Sequence, residues 1–300
     1  MKRTDIKVGF LCNNLCLFCV QGNKRDIYGN KTFKTIQSEL KRGAKNSKEL
    51  VLTGGESTLH KDFLQIVQSA KRAGYECINI QTNGRLFAYR EFCKKSILAG
   101  ADSFCIAVHG HNAKIHDALT RAPGSFVQST AGIKNLKSLG ARVSTNTVIT
   151  TKNYRSIPKI AALLISLGVD QMQFAFPHII GDAWNNRATL IPMKTKVMPY
   201  IMMGLDLAVR AHVTAMTEAI PYCLMKDYED FVAEKTIPQT QIFDAGFTVK
   251  DYTKYRKNIG KAKTNKCRSC FYDTVCEGPW REYPKLFGWS EFIPVKYELV

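Results

Sequence analysis

The sequence predicts an α/β fold: a partial (β/α)6 barrel followed by a smaller cysteine-bearing lobe. Three observations carry this expectation. Short apolar runs alternate with helical patterns along the first part of the chain, and glycines close several helical stretches just before the next apolar run. The polar residues that punctuate the strands also gather at one end of them.

The strand-like runs are IKVGFL (6–11), ELVLTG (49–54), ECINIQT (76–82), SFCIAVH (103–109), RVSTNTVIT (142–150) and DQMQFAF (170–176). Helical patterns lie between them, near 33–44, 60–73, 88–99, 125–139 and 156–167. Gly74, Gly100, Gly140 and Gly168 stand where each helix turns back toward a strand. A repeated strand–helix unit implies a parallel sheet, and six such units curl as part of a TIM-like (β/α)8 barrel. Chemistry in such barrels sits at the C-terminal ends of the strands. Cys12 onward, the GGE at 54–56, the TNG at 82–84 and the HG at 109–110 all fall there. Beyond residue 190 the rhythm stops: a long helix (194–212) and an extended run (214–222) lead into a lysine-rich tail. The expected division is 1–190 for the barrel, 191–222 for a connecting helix and strand, and 223–300 for the second lobe.

A chain of 300 residues, 45% hydrophobic and 23% charged, is long enough to bury a large core. The most apolar stretches, 161–169 and 197–209, are too short to span a bilayer, and the second contains Asp206. The N-terminus has no apolar signal segment. These features point to a cytoplasmic protein without a membrane partner, whose cysteines serve metal binding or chemistry rather than disulfides. The net charge of +18 suits an acidic partner. Six Lys or Arg fall within residues 254–266, which reads as a solvated, flexible loop or as a landing strip for an acidic substrate. No RNA-binding motif accompanies it.

Three cysteines, Cys12, Cys16 and Cys19, occupy eight positions after the first strand. Three thiolates leave one iron of a [4Fe–4S] cluster open for an outside ligand; a zinc ion completed by a distant His is the alternative. His109, His111 and His116 offer another metal reading, but their spacing is unspecific. Cys223, Cys267, Cys270 and Cys276 form a later set, which by spacing alone fits either a four-cysteine zinc site or a second [4Fe–4S] cluster.

CxxxCxxC with Phe18 before its last cysteine, followed by Gly54-Gly55-Glu56, resembles the radical S-adenosylmethionine (SAM) superfamily. The resemblance covers about residues 5–180. It implies that Cys12, Cys16 and Cys19 hold a [4Fe–4S] cluster whose open iron binds SAM. Gly54, Gly55 and Glu56 would meet the SAM ammonium, Phe18 the adenine, and Asn83, His109 and Asn146 the ribose and carboxylate. One electron, from a donor such as flavodoxin or ferredoxin, would cleave SAM to a 5′-deoxyadenosyl radical that takes hydrogen from a C–H bond. Cx2Cx5C after the barrel resembles the SPASM and Twitch extensions. Trp280 stands where the full SPASM pattern has a further Cys, so the lobe is Twitch-like and Cys223, Cys267, Cys270 and Cys276 would hold one auxiliary [4Fe–4S] cluster.

Two cysteines are candidate hydrogen donors to a substrate radical: Cys223 if it is not a ligand, and Cys105, which alternates with Ala107 and His109 toward the barrel interior. A small buried apolar residue is the plain reading of Cys105, and Cys77 and Cys93 read as structural. The aromatic tail (276–292) reads as packing over the lobe. The resemblance implies oxidation, epimerisation or cross-linking of an acidic peptide or a small sugar- or nucleotide-like substrate. The chain starts close to its first strand, so neither a fused peptide-recognition domain nor a cobalamin domain is expected. RNA or nucleotide modification is a second enzyme reading, and a zinc-binding adaptor a non-enzymatic one.

Overall fold

The structure, a computed structural model, describes residues 2–296. Seven strands follow one another in the sheet, each parallel to the next: β1 (Lys2–Lys7), β2 (Glu49–Thr53), β3 (Cys77–Thr82), β4 (Ser103–Ala107), β5 (Arg142–Val148), β6 (Gln171–Ala175) and β7 (Thr214–Glu218). On the far side of β1 lie β8 (Gln239–Phe243), parallel to it, and the short antiparallel β9 (Thr248–Val249). The order is β7-β6-β5-β4-β3-β2-β1-β8-β9, so the sheet stays open between β7 and β9.

Crossover helices α1 (Phe33–Ala44), α2 (Phe63–Arg72), α3 (Arg90–Ala99), α4 (Ala113–Thr120), α5 (Ser125–Ser138), α6 (Ile157–Ser166) and α7 (Lys194–Arg210) cover one face. The strands alternate accordingly. In β5, Val143, Thr145 and Thr147 are buried toward the helices, while Ser144 and Asn146 face the other way, into the lumen. The helix-side layer is apolar (Ile6, Leu52, Ile80, Phe104, Ile106, Phe174) and supplies the core. The lumen side is polar: Thr53 bonds Asp5, and Asn79 donates to Ser103 at 2.7 Å. A polar concave face on a parallel sheet is a binding surface, because a purely structural one would be filled with aliphatic side chains. No helix among the described residues is long and apolar enough to cross a membrane.

The structure adjusts three expectations. The first strand is 2–7 rather than 6–11, because its register with β2 ends at Lys7↔Thr53 and the apolar run continues into the cysteine loop, where Val8 and Phe10 are buried. The parallel rhythm does not stop at six: α7 crosses to β7, a seventh strand. Residues 239–249, assigned to the second lobe, instead supply β8 and β9 to the main sheet. β8 covers the lumen edge of β1, which a six-stranded sheet would leave unpaired.

Candidate active site

The three cysteines lie on the loop that leaves the C-terminal end of β1. Its backbone is pinned to the α4 end by Leu15 N–H to Thr120 O (2.8 Å) and Leu17 N–H to Leu119 O (3.0 Å), and Asp182 N–H donates to Cys19 O (2.9 Å). Asn14 N–H donates to the Cys12 sulfur at 3.4 Å. Burial pushes all three thiols up; Glu56 and Cys19 add to this at Cys12, the other two cysteines at Cys16 and Asp182 at Cys19, while the positive charge of Arg25 opposes it at all three. Alone, the thiols stay protonated; a cationic centre would displace the protons and draw the sulfurs in. No three His, Cys, Asp or Glu among the described residues are placed to hold a single metal ion.

Gly54 and Gly55 lie against this loop. Gly54 has φ +130°, and a Cβ there would stand 2.1 Å from Gly9 O; one on Gly55 would stand 2.4 Å from Leu11 O. The contact is a short ladder, Gly55 N–H to Gly9 O and Glu56 N–H to Leu11 O, both 2.8 Å. Glycine is needed because any side chain would lift the loop off β2. The Glu56 carboxylate is buried and engaged by four protein donors: Thr58 N–H (3.2 Å), Thr58 Oγ1 (2.6 Å), Thr82 Oγ1 (2.7 Å) and Asn83 N–H (2.6 Å). Sequence reasoning aimed this carboxylate at a ligand ammonium. In the structure it braces the end of β2 to the end of β3.

Asn83 carries the brace onward. Its Nδ2 donates to Asn13 Oδ1 at 2.6 Å and its Oδ1 accepts from Arg85 N–H at 3.0 Å. The Arg85 guanidinium bonds Asn13 O, Asn14 Oδ1 (2.9 Å) and Gln128 Oε1 (2.6 Å). Sequence reasoning missed Asn13, Asn14, Arg85 and Gln128. The paired asparagines between Cys12 and Cys16, and the arginine directly after TNG, were the available signals.

His109 sits buried at the rim of β4. Val148 N–H donates to its Nδ1 (3.2 Å), and the His109 backbone N–H donates to His116 Nδ1 (3.1 Å), so both rings carry their proton on Nε2. Burial holds both neutral: His109 is well below the usual histidine range and His116 is pushed down to about 4. His116 is the middle of a ring stack with His109 (5.6 Å) rather than a metal ligand. Phe18 is buried with its ring edge-on to His109 at 4.6 Å, so two residues expected around the cofactor touch each other. Asn153, another residue sequence reasoning missed, fixes this rim by donating to His109 O (2.9 Å) and Val148 O (2.8 Å). Asn146, lumen-facing on β5, has a buried Oδ1 with no hydrogen-bond donor. A buried acceptor without a donor is costly and marks a place where a ligand hydroxyl or N–H would fit.

Cys105 faces the lumen opposite Ser144, two inward steps or about 13 Å below His109 along β4. Burial raises its thiol.

The later cysteines come together. Cys223, Cys267, Cys270 and Cys276 line one cavity, closed by Trp289 and Phe292. The Cys223 thiol is pushed up to about 12 by burial and by the other three. Cys223 lies on the turn just past β7, hence on the same C-terminal rim as the β1 loop. The aromatic tail packs as expected: Trp280 stacks on His178 at 3.8 Å, and Tyr283 is fully buried. The basic run is solvated only in part: Lys254, Lys257, Lys263 and Lys266 are exposed, whereas Arg256 pairs with Glu277 and Lys261 with Glu234, both cations buried, and Lys263 pairs with Asp273 at the surface.

An open parallel α/β sheet, with a thiol-rich loop, glycine ladder and unsatisfied polar acceptor on one rim, defines an enzyme that holds a cysteine-ligated cofactor. Residues 6–164, over half the chain, match the Radical SAM superfamily, and the chain belongs to that family. These enzymes use a [4Fe–4S] cluster and SAM. Among curated proteins it is similar to a "Probable GTP 3',8-cyclase" of Saccharolobus solfataricus, 30% identical over 174 residues (57% of this chain, 55% of that one). It is likewise similar to one of Saccharolobus islandicus, 29% identical over 180 residues (59% and 57%). The chain thus spans little more than half the length of these relatives. Among solved structures, it resembles Streptococcus suis SuiB bound to precursor peptide SuiA (TM-score 0.67, 16% identity, 92% of this chain and 71% of that one). It also resembles anSMEcpe with bound AdoMet and Kp18Cys peptide (TM-score 0.65, 14% identity, 94% and 90%). At those identities the likeness shows the fold, the open parallel barrel expected from the sequence.

Proposed function

We propose that this chain abstracts hydrogen from a C–H bond of a peptide substrate held over the polar lumen, with an auxiliary cluster beside the site. The observation that carries this reading is the shared rim: Cys12, Cys16 and Cys19 follow β1, and the pocket of Cys223, Cys267, Cys270 and Cys276 begins just past β7. Cys12, Cys16 and Cys19 would hold the SAM-binding [4Fe–4S] cluster, which when bound with SAM supplies one-electron bond cleavage and a hydrogen-abstracting carbon centre.

The protein's part is positioning and exclusion of water. Asn83 and Arg85 hold the cysteine loop, and Phe18 and neutral His109 wall the rim with apolar and non-ionised surface. The Asn146 Oδ1 accepts a ligand hydroxyl or amine. Four thiolates saturate a second cluster, so Cys223 reads as its ligand rather than as a hydrogen donor. Cys105, well below the rim, reads as a lumen wall residue. Peptide-bound neighbours of the same fold support a peptide substrate, and the +18 charge supports an acidic one. The relatives named as GTP 3',8-cyclases favour a second reading, a nucleotide substrate.

Anaerobic reconstitution tests the reading. The expected result is about eight iron and eight sulfide per chain, with 5′-deoxyadenosine formed from SAM and dithionite. Zinc in place of iron, or 5′-deoxyadenosine formed undiminished by Cys12→Ala, would sink it.

A further inference from the structure

We propose that the groove outside the three-cysteine loop is the docking face for a small acidic one-electron carrier protein that reduces the cluster. This rests on the reading that Cys12, Cys16 and Cys19 hold that cluster.

The groove encloses about 450 Å³ between the 27–31 turn, α1 and the β8–β9 turn. Phe10 forms its floor, and Ile27, Tyr28 and Phe247 stand exposed on its rim, Ile27 at 69% and Phe247 at 53%. Three large apolar side chains gathered around one groove mark an interaction surface rather than scattered exposure.

Charge identifies the occupant. The outer face of α1 carries Lys34, Lys41 and Arg42, with Lys45 just beyond, all exposed. The one carboxylate of α1, Glu39, is buried and held by Lys31 at 2.8 Å. The groove's other carboxylate, Asp244, is held by Lys24 at 2.7 Å. Both acids are internally neutralised, Arg42 lines the groove over the Phe243 ring, and Lys34, Lys41 and Lys45 stand exposed on or just beyond α1, so an apolar groove bordered on its α1 side by positive charge faces solvent. That pattern steers an acidic protein to a small contact. Redox encounters use small interfaces, below about 1,200 Å².

Place identifies the role. Phe10 is two residues before Cys12. The Lys24 ammonium lies 5.4 Å from both the Phe10 and Phe247 rings, and the positive charge of the next residue, Arg25, acts on all three cysteine thiols. A partner seated here therefore sits one residue from the charge nearest the cluster ligands. The groove lies on the helix side of the sheet, where α1 packs Gly43 against Thr4. A substrate bound there would be on the wrong side of β1 from the lumen. In the electron step the carrier loses one electron and the cluster gains it, with no bond made or broken in either chain.

The test uses the reconstituted full chain and reduced flavodoxin, a small acidic flavoprotein, with cluster reduction followed by rapid-freeze EPR. Reduction is expected to slow about tenfold between low and high salt. Arg42→Glu and Phe247→Asp, both surface changes, are each expected to slow it about tenfold. Reduction by dithionite is expected to stay unchanged in both. Wild-type rates with flavodoxin in both variants would overturn the proposal. So would a wild-type dimer in sedimentation that Phe247→Asp dissociates, since the face would then serve a second copy of the chain. If dithionite raises no cluster signal in the wild type, the cluster reading fails instead, and the docking proposal falls with it.

Discussion

Arg256 and Glu277 form a bidentate pair at 2.6 and 2.7 Å, with side chains only 1% and 2% exposed. The pair ties the basic run to the residue that follows Cys276, and so anchors the frame of the second thiol set. Removing one partner strands a buried charge. Arg256→Ala is expected to cost about 3–5 kcal/mol, whereas Arg256→Met with Glu277→Leu recovers much of that loss. Denaturant unfolding of the two variants against wild type checks both outcomes.

Gly54 is expected to resist even alanine. Its φ of +130° and the 2.1 Å approach of an added Cβ to Gly9 O leave no room for one. Gly54→Ala should cost about 1–3 kcal/mol and should lower iron incorporation by displacing the cysteine loop. Iron content and melting temperature would report the two effects separately; normal values of both would refute the ladder argument.

The two thiol sets should lose iron independently. Cys12→Ala and Cys223→Ala are each expected to halve the iron and sulfide of reconstituted protein, from about eight to about four per chain. The first should abolish 5′-deoxyadenosine formation and the second should leave it measurable. Full iron content in Cys223→Ala would show that this thiol is not a ligand.

Acid sensitivity should trace in part to His116. Burial lowers its pKa from 6.5 to about 4, so between those values the unfolded chain binds more protons than the folded one. Stability is therefore complete above about pH 6.5 and falls as pH drops toward 4, by at most about 3 kcal/mol from this group. His109, shifted in the same direction, adds to the trend. His116→Gln keeps an acceptor for His109 N–H and should flatten the slope. Urea unfolding of apo-protein between these pH values measures it; an unchanged slope would rule His116 out.

Asn153→Ala removes donors to His109 O and Val148 O together, and also the Oδ1 that accepts from Thr150 N–H at 2.7 Å. Buried groups left without partners should cost about 1–3 kcal/mol, visible in thermal unfolding, and SAM binding by calorimetry should weaken as the His109 rim loosens.

What could be read in the linear chain was local. Period-two burial in β5, helices closed by Gly100 or Gly140, and three cysteines within one loop are all encoded by neighbours in sequence. Phe18, Gly54 and Gly55 were placed at the correct rim because a parallel sheet puts every strand's C-terminal end on one side. Glu56 shows where that reasoning stops. Its type and position were legible, but its four donors come from the end of β3 and the turn after β2, and these tie the ends of the two strands together through it, which no local pattern records.

By itself, then, the sequence determined the α/β class, the rim on which the cysteine loop and the GGE and TNG turns gather, and the thiol loop that opens it. Only the tertiary structure decided that Arg256 and Lys261 are buried and paired rather than solvated. It likewise set residues 239–243, expected in the second lobe, beside β1 in the main sheet. The physical reason is common to both. Charge burial and parallel pairing across a long connection depend on partners far along the chain, and no local pattern records which partner folding will supply.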